Sequence, residues 1–80
     1  MRVGELVIGD KIRIKKDFTD YDGQQIKAGL EVVFTDKSYF PYEGGYTLRF
    51  DKAIIRLADI DDDNRLIIQN GEDEYFELVR

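Results

Sequence analysis

Residues 11–18 alternate charge with Ile12 and Ile14, and the same period of two recurs along most of the chain. Leu30, Val32 and Phe34 share one face of a second run, and Tyr46, Leu48 and Phe50 share one face of a third. Ile55 and Leu57 point inward in residues 53–58, and residues 65–69 and 75–79 complete the set. A period of two sends successive side chains to opposite faces of a strand, whereas a helix needs apolar residues three and four apart. Turn formers separate the runs: residues 20–23, the stretch 38–45 with Pro41, Asp51 with Lys52, residues 59–64, and Asn70 with Gly71. The last pair is the strongest short hairpin signal in the chain. The reading is an all-β, antiparallel fold of five to six short strands. Closure into a small barrel or roll of the Src-homology-3 type would remove the exposed edges. An oligonucleotide-binding-type barrel ranks second, because that fold carries a helix and no stretch here shows helical periodicity. Residues 37–45 have room for one helical turn at most.

Eighty residues make one domain, 1–80, and a domain of that size buries roughly 60–65% of the surface its unfolded chain exposes. There is no cysteine, so a 42% hydrophobic complement must hold the fold without disulfides or thiolate-bound metal. The start lacks the order of a secretory signal, and no apolar run approaches the about 20 residues of a membrane span. A cytoplasmic protein with no membrane association is expected. Seventeen acidic against 12 basic residues give a net charge of −5, which opposes a phosphate backbone and disfavours nucleic acid as a partner. Lys11, Arg13, Lys15 and Lys16 are the basic concentration, expected on the solvated side of a blunted sheet edge.

The chain has no histidine, which removes the usual neutral-pH base, the usual zinc ligand and the familiar nucleophilic triads. No enzyme activity and no cofactor are expected. Asp59, Asp61 and Asp63 alternate as the first ligands of a calcium loop do, but Asn70 stands where a bidentate glutamate is required. A solvated turn is the leading reading of these aspartates, with weak calcium binding as the alternative.

The aromatics are more suggestive. Tyr21, Tyr39, Phe40, Tyr42 and Tyr46 lie in or beside two loops, and Asp20 and Asp22 flank the first of them. Tyrosine offers a rigid amphipathic contact surface at small entropic cost. Asp20, Tyr21, Asp22, Tyr39, Tyr42 and Tyr46 are therefore the candidate binding residues, against the plainer reading that loop aromatics plug a barrel end. The functional expectation is a non-catalytic protein-interaction module. Two alternatives stand beside it: an acidic inhibitor or immunity-type protein that masks a basic partner, and a weak calcium- or small-ligand-binding barrel. The oligomeric state is left open.

Three segments carry a resemblance: Phe18 with "DYDG" at 20–23, "PYEGGYTL" at 41–48, and "IRL" at 55–57. With Gly29 before an apolar strand, they resemble a family of small, stand-alone bacterial β-rich domains known only as a domain of unknown function. The resemblance spans roughly residues 11–76. It departs from the pattern where a tryptophan is expected after the glycine and Val32 or Val33 stands instead. It implies a bacterial, intracellular protein of this architecture, with no assigned activity or cofactor.

Overall fold

A computed structural model of the chain describes residues 2–79. A short 3-10 turn, Val3–Glu5, precedes β1 (Lys11–Ile14), β2 (Phe18–Thr19), β3 (Gln25–Ile26), β4 (Glu31–Phe40), β5 (Gly45–Phe50) and β6 (Ile54–Leu57). One helix, α1 (Asp62–Glu74), then leads into β7 (Phe76–Leu78). Five strands form an antiparallel sheet in the order β6-β5-β4-β1-β7, and β2 and β3 form a separate two-stranded hairpin.

The fold is mostly β and antiparallel, as the alternation predicts, but the sheet does not close into a barrel. β6 and β7 remain its two edges. The reason lies on one face. Ile12, Ile14, Val32, Phe34, Leu48, Phe50, Ile55, Leu57 and Phe76 are buried there, and Val3, Leu6, Phe18, Ile26, Ile67 and Tyr75 complete one core from the covering elements. Phe18 meets Tyr75 and Phe76 edge-on, with centroids 5.6 and 5.8 Å apart. A sheet whose apolar face is covered by a helix and a hairpin gains nothing by curling on itself, and its other face is left to water.

The helix replaces the strand expected at 65–69, the hairpin expected at 70–71 and the second half of the turn expected at 59–64. Its buried positions are Asn64, Ile67 and Gly71, spaced as one helical stripe, but two of the three are not apolar. Hydrophobic periodicity is therefore silent. Asp61 caps the N-terminus by accepting from the Asn64 amide at 2.8 Å, satisfying one of the helix's unpaired donors. Asn64 is held by the Ala58 amide at 3.3 Å and the Thr19 carbonyl at 3.4 Å. The expected Asn70 and Gly71 hairpin is instead a kink inside the helix, with Asn70 at φ −124°, ψ 17°. Gly71 packs there on Val3, close enough that an added Cβ would lie 2.9 Å from its Cγ1.

The basic cluster is also placed differently from expectation. β1 is an interior strand between β4 and β7, not an edge. Arg13 points to the solvated face between Glu31, Nε to Oε2 3.1 Å, and Glu77, Nη1 to Oε1 2.6 Å. The hydrogen bond to Arg13, with a second from Lys11, holds the Glu31 carboxyl below the ordinary glutamate range. The Glu31 bond likewise holds Arg13 above its ordinary value. Lys15 donates to the carbonyls of Glu72 and Asp73, both at 3.2 Å, and so completes the C-terminus of a helix with no base in its own last turn. No helix among the described residues is long and apolar enough to cross a membrane.

Candidate functional site

The loop after β2 is a latch. Asp20 is 4% exposed. One carboxylate oxygen accepts from the Gln24 amide at 2.8 Å, and the other from the Arg56 amide at 3.1 Å and the Gln24 side chain at 2.9 Å. The Tyr21 amide donates to the Arg56 carbonyl at 2.7 Å, and the Gln24 side chain donates to the Ile54 carbonyl at 2.7 Å. The loop thus takes up the outer backbone groups of β6 and protects that edge from pairing with another strand. Above it, the Arg56 guanidinium lies 5.5 Å from the Tyr21 ring and 4.8 Å from the Phe40 ring, and Nη1 pairs with Asp22 at 3.0 Å. Asp20, Tyr21 and Asp22 are each engaged within the fold.

The other three candidates sit on the hairpin of β4 and β5. β4 runs on to Phe40, through the stretch expected to be a loop, and a turn at 41–44 returns the chain. A bulge between Phe34 and Asp36 shifts the register with β5, and beyond Val33, opposite the start of β1, the strand continues with β5 alone. Tyr39 pairs with Tyr46 at a centroid distance of 5.6 Å, on the face opposite Phe40 and therefore opposite Tyr21. Tyr46 is half-buried, with its hydroxyl beside Gly4. Tyr39 is 60% exposed, and Tyr42, in the turn, is 97% exposed. The structure therefore separates the six candidates: Asp20, Tyr21 and Asp22 are locked on one face, Tyr46 is packed against the core, and Tyr39 and Tyr42 are open to solvent.

The acidic turn at 59–64 has internal work. Asp59 pairs with Arg65, Oδ1 to Nε 2.7 Å, Asp61 is the helix cap, and Asp63 lies in the first turn of α1. Among the described residues, no group of three or more His, Cys, Asp or Glu is arranged to hold a metal ion.

The sequence reading passed over Val7 and Ile8. They stand in a turn closed by the Asp10 amide on the Val7 carbonyl at 3.0 Å, with Gly9 at φ +96°. They are 61% and 77% exposed. With Leu6, Phe34, Asp36 and Lys37 they line an open groove of about 600 Å³. The signal was legible as two aliphatic residues directly before a glycine–aspartate turn, where polar residues are usual.

A protein-family model matches residues 4–80 and is described as a domain of unknown function, DUF3601. The chain belongs to that family. This agrees with the motif resemblance, and the structure shows what the resembling segments do together. The loop at 20–23 latches onto Arg56, and Gly45 lets β5 approach Leu57 and Ala58, where a Cβ would come within 2.7 Å of Ala58 Cα. Among solved structures, the chain is similar to an integron cassette protein from the mobile metagenome of Vibrio cholerae. The TM-score is 0.75 at 26% identity, over 95% of this chain and 91% of that one. No curated protein matches the chain.

Proposed function

We propose that the protein is a non-catalytic protein-binding module whose contact surface is the hairpin of β4 and β5. The observation that carries this reading is the exposure of Tyr39 and Tyr42, on a hairpin that projects past β1, while the aromatics around them are packed. Exposed tyrosines of this kind are poor solvation and good contacts. The chain's lack of histidine and cysteine supports a role without catalysis. Masking of a basic partner is the second reading, favoured by the −5 charge, which would steer such a partner toward the surface at low salt.

The test is affinity capture from a lysate with the wild type and with a Tyr39→Ala/Tyr42→Ala variant, the fold of each confirmed by circular dichroism. A protein retained by the wild type and lost by the variant is the expected result. Identical captures by the two baits would remove the hairpin as the contact surface.

A further inference from the structure

We propose that the outer edge of β4 at Lys37 to Tyr39 receives an extended main-chain segment of a partner protein, added to the sheet as a further strand. The inference rests on the protein-binding reading above and names how the hairpin holds its partner. The direction of the backbone groups carries it. The Phe50 amide bonds the Ala53 carbonyl, so alternation turns Leu48 and Tyr46 toward β6, and Arg49, Thr47 and Gly45 toward β4. Their partners Asp36, Ser38 and Phe40 are spent on β5, and the N–H and C=O of Lys37 and Tyr39 point the other way. The Lys37 amide meets the Asp36 carboxylate next to it, at 2.9 Å. Among the described residues, the Lys37 carbonyl and both backbone groups of Tyr39 have no hydrogen-bond partner.

This edge is open where the others are closed. The loop after β2 covers the edge of β6, and at β7 Phe76 is fully buried. Residues 35–39 are all exposed, and the ladder with β5 is regular from Asp36 to Phe40, so no bulge spoils the edge there. An outstanding lysine would guard it, but the Lys37 ammonium is turned onto the Gly4 and Leu6 carbonyls. The chain leading into β1 follows this flank only as far as Phe34, which bonds Asp10 and Gly9. There it turns away, and the groove lined by Leu6, Val7 and Ile8 opens in its place. An added strand takes that place, and its backbone supplies the affinity. Hydrogen bonding also selects the occupant. A strand of another protein satisfies the Lys37 carbonyl and both groups of Tyr39 at once. A second copy does worse in either antiparallel register. Paired about Ser38, the two edges lose the donors of both Lys37 amides to Asp36. Paired about Tyr39, they set Pro41, which has no N–H, opposite the Lys37 carbonyl.

The test is amide NMR of the isotope-labelled protein, titrated with a short, end-capped, uncharged peptide alternating threonine and valine. The same peptide with every amide N-methylated is the control. The expected result is shifts gathered on residues 37–39 and 6–8 with the unmethylated peptide alone. Asp36→Ala frees the Lys37 amide for one more bond and should tighten that binding about fivefold. Edge amides that stay unshifted at millimolar peptide, or respond equally to the N-methylated control, would overturn the proposal. So would an affinity unchanged or weakened by Asp36→Ala. Edge signals that move with protein concentration alone would overturn it too, by making a second copy the occupant. A lysate partner lost by Tyr39→Ala/Tyr42→Ala, with edge amides that no peptide moves, would remove strand addition and leave the hairpin reading standing.

Discussion

The segments 17–23 and 39–45 are close in composition: each has an acidic residue, at least two aromatics and a terminal glycine. Their fates differ. In the first, Asp17 accepts from the Ala28 amide, Asp20 takes three bonds, Asp22 holds Arg56, and Tyr21 packs on Phe40. In the second, Gly45 sits against β6, Phe40 lies under Arg56, and the Glu43 carbonyl accepts from the Asp59 amide at 3.0 Å, while Tyr42 is in water. What separates them is the surroundings. The first faces an open strand edge whose unpaired backbone groups reward each donor and acceptor brought to them. The second turns at the end of a hairpin, held on one side by the Asp59 amide, with nothing packed over Tyr42. Buried acceptors make structure, and exposed aromatics make surface.

The contrast can be broken at several points. Gly45→Ala should have the largest effect, about 4 kcal/mol by urea denaturation, because the new methyl meets the backbone of β6 and not a movable side chain. A small loss would mean that the hairpin's base is as loose as its tip. Asp20→Ala should destabilise by about 3 kcal/mol, since the Arg56 and Gln24 amides lose their acceptor in a buried site. Asp20→Asn, which keeps one acceptor oxygen, should lose less. Asp61→Ala should remove about 1 kcal/mol, the usual worth of a helix cap, with helical circular dichroism falling on the same scale.

Two smaller effects sharpen the same division. Glu31 has its pKa lowered in the folded state by Arg13, so its contribution is complete above the ordinary glutamate range and is lost as pH falls through the lowered folded value. Urea midpoints measured toward acid should show a modest decline in that window that Glu31→Gln flattens, on an exposed pair where screening keeps the effect small. Tyr42→Ala should change stability by no more than about 0.5 kcal/mol. A larger loss would move Tyr42 from surface to structure and weaken the proposed contact.

Much of the sheet was legible. Ile12 and Ile14, Val32 and Phe34, Leu48 and Phe50, and Ile55 and Leu57 are buried where alternation placed them, and the turn after Phe50 closes at Asp51 and Lys52 as expected. The helix was not, because its inward stripe is written in Asn64 and Gly71 and its one local signal is the cap at Asp61. Of the candidate site, the aromatic residues were found but not their division between two faces. Strand alternation already sends Tyr39 and Phe40 opposite ways, but which face each takes is set by the bulge near Thr35, which has no mark in the sequence.

The sequence by itself determined the strand periodicity, the acidic balance and the lack of histidine and cysteine, since these are properties of residues and their local spacing. Tertiary structure decided whether the sheet closes, which aspartates are buried and which tyrosines meet water. Those outcomes depend on what lies across from each residue, and a strand edge or a covering helix comes from parts of the chain far away along it.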